Sequence, residues 1–212
     1  MVTLFACGHL HDSDCLSLNS NDTMRFTETN VPGAYIISLE PKRDERGFFA
    51  RAWCEQELQA QGLCAQVVQC NVGFSERKGT IRGIHWQNPP HEEVKVVRCT
   101  RGGIFDVIVD LRPDSPAFGQ HHAIELWDDR HTLLYIPAGV GHGYQTLTDR
   151  AEIFYQASAS FHAESSDGLC YNDPALNIAW PLKVSVIADR DLDWPTFERR
   201  TFASTTSAEA AP

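Results

Sequence analysis

The sequence predicts an all-β fold, an antiparallel sandwich or barrel with few helices. Short runs rich in Val, Ile, Phe and Tyr recur along the chain, with Gly, Pro, Asn and Asp between them. One run, Ile104 to Arg112, alternates cleanly: Phe105, Val107, Val109 and Leu111 share one face, and Ile104, Asp106, Ile108 and Asp110 share the other. A short stretch, 54–62, reads as helix, and Gly62 stops it.

The elements follow in order. Residues 1–23 are polar and irregular and read as a disordered extension. Cys7, His9, His11 and Cys15 within them fit no standard zinc spacing. Patterned sequence begins at Met24, so the domain is expected over 24–198, with a frayed tail over 199–212. Ala34 to Leu39 is a strand, a polar turn runs from Pro41 to Gly47, and Phe48 to Trp53 resumes a strand. After the 54–62 helix, Gln66 to Val72 is a strand leading to a turn at Ser75–Gly79. Thr80–Trp86 and Glu93–Arg101 are strands separated by Asn88-Pro89-Pro90, where consecutive prolines fix φ and remove two N–H donors. A hairpin-like layout would set His85 and Lys95 beside each other in one sheet. Gly102-Gly103 turns the chain into the alternating run. Further strands are expected at 119–127, 132–137, 143–148 and 151–160, and the chain loosens from Ser165.

Composition bounds the function. With 212 residues and 42% hydrophobic content, the chain suits one domain with a real core. Its net charge of −10 gives no global attraction for nucleic acid or an anionic membrane, so a phosphate ligand would need local arginines. No apolar run approaches the ~20 residues of a membrane span. The start lacks a basic segment before its apolar stretch, so no secretory signal is expected. Seven cysteines, an odd number without C-x-x-C, point to a reducing cytoplasm.

Several residues are candidates for chemistry. His85, as a base, and Lys95, as a cation, could remove a proton and hold the negative charge that results. Pro137-Ala138-Gly139-Val140-Gly141-His142 has the P-x-G-x-x-H turn of cupin barrels, in which proline and glycine aim the histidine inward. This sharpens the expected fold to an antiparallel double-stranded β-helix, the cupin or jelly-roll barrel. Many cupins use that histidine as a metal ligand, but the H-x-H partner motif is absent at His85-Trp86-Gln87. A metal site of His85, His142 and a carboxylate stays open as an alternative. Tyr155 is either a core tyrosine or an interior phenol able to give a proton. Arg46 and Arg82 are surface residues or bidentate contacts for diphosphate. Asp191 is a loop residue or the carboxylate that orients a histidine.

The chain resembles the dTDP-4-dehydrorhamnose 3,5-epimerases, metal-free cupins, over about residues 25–195. The likeness runs through Asp44-x-Arg46-Gly47-x-Phe49, Gly79-x-x-Arg82-Gly83-x-His85-x-Gln87-x-Pro89-Pro90, Lys95-x-Val97, Phe105 to Arg112, Ser115-Pro116-x-Phe118-Gly119, Ile136 to Gly143, Tyr155, Asn172-Asp173-Pro174 and Trp180-Pro181. The resemblance implies epimerisation at C3 and C5 of a nucleotide-linked 4-keto-6-deoxyhexose through an enolate, with no cofactor and no metal. It implies His85 as base, Asp191 as its orienting carboxylate, Tyr155 as acid on the opposite face and Lys95 at the enolate oxygen. Arg46 and Arg82 would hold the diphosphate, and Phe49, Gln69, Asn71, His142 and Phe161 would complete the substrate site. It also implies a homodimer with exchanged N-terminal strands, so that Arg46 serves the partner's site. Two tensions remain. Arg82 and His85 are three apart, so they meet one ligand only if the strand twists or bulges, for which Gly83 is suited. Phe161 stands where the family often has Tyr, and Tyr144 where Phe is common. A single-centre 3- or 5-epimerase, a CDP or GDP sugar, and a non-catalytic sugar-nucleotide-binding cupin are the remaining alternatives.

Overall fold

The protein is described by a computed structural model covering residues 23–200 and residue 202. All but residue 23 of the extension predicted at 1–23, and most of the predicted tail, lie outside the described residues. Thirteen strands dominate, with two short helices and one 3-10 turn: β1 Arg25–Glu28, β2 Tyr35–Ser38, β3 Lys42–Asp44, β4 Gly47–Phe49, α1 Glu55–Ala60, β5 Gln69–Ser75, β6 Ile81–Gln87, β7 Lys95–Arg101, β8 Gly103–Asp110, β9 His121–Trp127, β10 Thr132–Ile136, β11 Val140–Thr146, β12 Ala151–Ala157, β13 Ser166–Gly168, α2 Asp189–Leu192 and the 3-10 turn Phe197–Arg199.

The strands form a six-stranded sheet ordered β1-β2-β10-β7-β12-β5 and a five-stranded sheet ordered β13-β6-β11-β8-β9. All pairings of the named strands are antiparallel. Non-consecutive neighbours and two facing sheets give the expected jelly-roll barrel. The alternation read in β8 is real, but both of its faces are buried. Ile104 and Ile108 join the core between the sheets with Val97, Leu134, Ile136 and Ile153. Val107 and Val109 pack on the outer side against Ile84, Trp86, Leu169 and Leu176. Each fully buried Ile or Leu contributes roughly 1.5–3 kcal/mol relative to exposure. The stretch after Ser165, expected to be loose, therefore covers an apolar sheet face.

Three expectations are corrected. First, β6 and β7 do not form a hairpin: they lie in different sheets, so the segment with Pro89-Pro90 crosses the barrel. Lys95 instead pairs in register with Ile136 and Ala157. Second, the strand expected over Phe48–Trp53 stops at Phe49, because among the described strands β4 pairs only with β3, in a separate two-stranded ribbon. Third, the strand expected over 66–72 is displaced to Gln69–Ser75, where it runs in full register with β12.

β6 is the strand on which the site depends. Its register with β11 pairs His85 with His142 and Arg82 with Tyr144, so three steps on β6 match two on β11. The extra residue is a bulge at Gly83–Ile84, where Gly83 has φ +108. A Cβ on Gly83 would lie 2.6 Å from both the His142 carbonyl oxygen and Gly143 Cα. Glycine is required there by both conformation and space.

Candidate active site

A cavity of about 570 Å³ opens between the two sheets. From the five-stranded sheet, β6 contributes Arg82 and His85, and β11 contributes His142 and Tyr144. From the six-stranded sheet come Asn71 of β5, Lys95 of β7, and Ile153 and Tyr155 of β12. The bulge at Gly83 puts Arg82 and His85 against one cavity despite their odd spacing. The C-terminal segment closes one side. Ser185 N–H donates to the Gly79 carbonyl and Ile81 N–H to the Val186 carbonyl. This runs the chain along the start of β6 and delivers α2, with Asp191, beside the bulge.

His85 and Asp191 form a tight pair. His85 Nε2 is 2.7 Å from Asp191 Oδ1, and Gly83 N–H donates to Oδ2 at 3.3 Å. Asp191 is 3% exposed. Burial pushes its carboxyl up, but the His85 hydrogen bond and charge, with the Gly83 N–H, outweigh burial and hold it below the usual carboxylate range. An ionised Asp191 accepts a hydrogen bond from Nε2–H, which leaves Nδ1 as the base nitrogen of His85. Trp194 lies edge-on to the imidazole, with ring centroids 6.3 Å apart.

A second pair lies alongside. His142 Nε2 is 2.7 Å from Asp106 Oδ1, and Asp106 is completely buried on the β8 face that points inward. Each imidazole thus has its own carboxylate at Nε2. Facing them, Lys95 Nζ is 2.9 Å from Glu93 Oε1, both side chains nearly buried. Tyr155 is paired in register with Asn71 and Val97. Burial, with a smaller push from the Glu93 charge, raises its phenol. Burial likewise pushes the Tyr144 phenol up to about 12. Both tyrosines therefore carry their protons at neutral pH.

Of the residues expected at the site, His85, Tyr155, Asp191, Lys95, Arg82, Asn71 and His142 line this cavity. Arg82 is held at its rim, donating through Nε to Ser75 Oγ at 3.2 Å and through Nη2 to the Phe74 carbonyl at 2.9 Å. Gln69 and Phe161 do not line it. They stand one layer out: Phe161 N–H donates to Gln69 Oε1 at 3.1 Å, and Gln69 Nε2 donates to Asn71 Oδ1 at 2.9 Å. Arg46 and Phe49 are not brought to the cavity within one chain. They lie on the β3–β4 ribbon, where Arg46 is ion-paired with Asp44 and Phe49 is 78% exposed.

Sequence reasoning missed Tyr144, Asp106 and Glu93 as parts of the site. Signals existed for each. Tyr144 is two residues beyond His142 and so shares its face. Asp106 interrupts an apolar row, and Glu93 is two before Lys95 on the same face. Gly73 makes room for the Tyr144 hydroxyl, which would be 3.2 Å from a Cβ there.

Known proteins resemble this chain in sequence and in fold. The sequence model of the dTDP-4-dehydrorhamnose 3,5-epimerase family matches residues 28–199. The dTDP-4-dehydrorhamnose 3,5-epimerase of Methanothermobacter thermautotrophicus is 37% identical over 173 residues, covering 80% of this chain and 92% of that protein. The crystal structure of the Bacillus anthracis epimerase with TDP and PPi bound is 36% identical, with a TM-score of 0.79 over 82% of this chain and 99% of that one. The Legionella pneumophila epimerase in complex with dTDP-4-keto-L-rhamnose is 30% identical, with a TM-score of 0.81 over 87% of this chain and 100% of that one. A family model matching most of the chain, with relatives above 30% identity over four-fifths of it, shows that the chain belongs to the dTDP-4-dehydrorhamnose 3,5-epimerase family.

Proposed function

We propose that the protein epimerises dTDP-4-dehydro-6-deoxy-D-glucose at C3 and C5, giving dTDP-4-dehydro-L-rhamnose. The observation that carries this reading is His85 of one sheet, held by Asp191 of α2, lining one cavity with Tyr155 and Lys95 of the other sheet. The C4 ketone acidifies the C–H bonds at C3 and C5. His85 Nδ1 takes the proton from carbon, and the electron pair of that bond moves to the C4 oxygen as an enolate. Lys95 Nζ, a cation in a partly closed site, holds the developing charge. Tyr155 then gives its proton to the opposite face of the carbon, inverting the centre. Asp191 keeps the imidazole in the tautomer that exposes Nδ1 and offsets its positive charge once protonated.

Arg82 at the rim holds the diphosphate, for which a guanidinium is geometrically suited. His142 lines the sugar pocket, and Asn71, backed by Gln69 and Phe161, shapes its wall. The reading needs no cofactor: every proton and electron pair in it moves between substrate and side chains.

The working unit is a homodimer in this reading. Among the described strands, β3 and β4 pair only with each other, and Phe48 and Phe49 are exposed. Lodged against a second copy, this ribbon would bury both rings and bring Arg46 and Phe49 to that copy's cavity. Five free cysteines among the described residues support a reducing, cytoplasmic setting. No helix among them is long and apolar enough to cross a membrane.

The test is a pair of variants assayed for proton exchange and turnover. His85→Ala should abolish exchange of the carbon-bound protons while leaving nucleotide-sugar affinity within a few-fold of wild type. Tyr155→Phe should keep the first abstraction and lose inversion. Exchange that survives His85→Ala overturns the assignment of the base.

A further inference from the structure

We propose that His91, His162 and Glu164 form a binding site for one divalent transition-metal ion of the zinc class, separate from the catalytic cavity. None of the three lines that cavity. They are the one group of three or more His, Cys, Asp or Glu among the described residues whose ligand atoms all fall within 4.8 Å of one another.

The arrangement is built. His91 lies in the β6–β7 connection and His162 in the β12–β13 connection. Both are fixed by one buried side chain, Gln87 at the end of β6. Its amide nitrogen donates to the His91 carbonyl at 2.9 Å and the Ser160 carbonyl at 3.1 Å, and its amide oxygen accepts from His162 N–H at 2.6 Å. The loop beyond folds back, with Ser165 and Ser166 N–H both donating to the His162 carbonyl at 3.2 and 3.0 Å. The two imidazoles are stacked at 3.5 Å with 9° between their planes, and Glu164 Oε1 is 3.3 Å from His162 Nδ1.

The donor set fixes the class of ion. Two imidazoles and a carboxylate suit zinc, copper or nickel, not magnesium or calcium. A tetrahedral zinc with ligands at 2.0–2.1 Å separates two nitrogens by about 3.3 Å, a modest closing of ligand atoms that already lie within 4.8 Å of one another. A tilt of the half-buried rings out of parallel aims both lone pairs at one point, and the fourth position is left to water. The two loops lead into β7, which begins at Lys95, and out of β12, which carries Tyr155. An ion there staples the ends of the strands that carry the proposed acid and the enolate cation. Its role is structural, so it should raise stability without being needed for turnover.

Cys7, His9, His11 and Cys15 offer zinc a second set of side chains. The experiment therefore uses the full chain carrying Cys7→Ser, His9→Asn, His11→Asn and Cys15→Ser, stripped with chelator and titrated with ZnCl2. One equivalent should bind with micromolar Kd, and at 100-fold excess over Kd the Tm should rise by about 5 °C or more. Adding His91→Asn or His162→Asn should remove both effects, and Glu164→Gln should weaken binding about tenfold. Turnover in EDTA should be the same in all of them. As a measurement that needs no further variant, Cu2+ bound to the same background chain should show hyperfine coupling to two nitrogens by electron paramagnetic resonance. Zinc binding unchanged by His91→Asn and His162→Asn, no binding in the background chain, or a copper spectrum without two-nitrogen coupling overturns the proposal.

Discussion

Gly83→Ala should disable the enzyme through backbone geometry alone, without touching a reacting group. Gly83 sits at φ +108, where an L-residue is strained by roughly 1–3 kcal/mol. A new Cβ would also sit 2.6 Å from the His142 carbonyl oxygen and from Gly143 Cα, where ordinary contact begins at 3.4 Å. Both are backbone atoms of β11, so neither can rotate away. The bulge must open, moving His85 from Asp191 and changing the register that places Arg82 and His85 on one cavity. Strain and collision together should cost about 2–4 kcal/mol, which for a chain of this size lowers Tm by roughly 4–15 °C. Misplacing a base by an ångström costs about 10²-fold in rate, so kcat should fall at least that much in protein that is still folded. Gly62→Ala is the control. Gly62 has φ +72 but nothing within 4 Å of an added Cβ, so it carries the dihedral strain without the collision. The assay is thermal unfolding with turnover measured at a temperature where both variants are folded. If Gly83→Ala matches Gly62→Ala in Tm and keeps wild-type kcat, the bulge does not set the catalytic geometry and the reasoning fails.

Further predictions follow from the same contacts. Asp191→Asn removes the charged partner of His85, a hydrogen bond worth about 1.5–3 kcal/mol, and should lower kcat roughly 10- to 150-fold with a smaller change in KM, read by steady-state kinetics. The same variant tests linkage. Asp191 is held below its ordinary value of 3.8, so its contribution to stability is full above that pH and is lost as pH falls through the depressed folded value. Unfolding curves of wild type and Asp191→Asn should therefore differ by a constant at neutral pH and converge only in acid below 3.8. Arg82→Ala should raise KM or the Kd for dTDP about 10- to 150-fold and leave kcat near wild type, as isothermal titration with dTDP can show. Tyr144→Phe removes a buried hydroxyl from the cavity but keeps the ring. It should shift kcat less than Tyr155→Phe does, a comparison made by following inversion by proton NMR.

Much of the fold was legible because strand period and turn chemistry are local. The two faces of β8 could be read from Ile104 to Leu111, and the turn at Pro137–Gly139 announced the inward aim of His142. What was not legible was pairing. A strand-break-strand pattern around Pro89-Pro90 fits a hairpin and a crossing between sheets equally well by period. The choice was made by distant partners, Ile136 and Ala157, which take Lys95 into the opposite sheet. That Arg82 and His85 could meet one ligand only through a twist or a bulge was an inference from chemistry, and the register of β6 with β11 shows the bulge. The carboxylates behind His142 and Lys95 escaped notice because a buried acid and a solvated one look alike in sequence. Arg46 and Phe49 lie on the β3–β4 ribbon, which joins neither of the two large sheets, and nothing local in the sequence says where such a ribbon lies relative to the cavity.

The most direct test of the central claim is deuterium incorporation during turnover. The full chain, treated with chelator, is incubated with dTDP-4-dehydro-6-deoxy-D-glucose in D2O, and the sugar is read by mass spectrometry and proton NMR. Label at both C3 and C5, lost together in His85→Ala, is the predicted result. Label at one carbon would contradict inversion at two centres, and label at neither would contradict epimerisation of this substrate altogether.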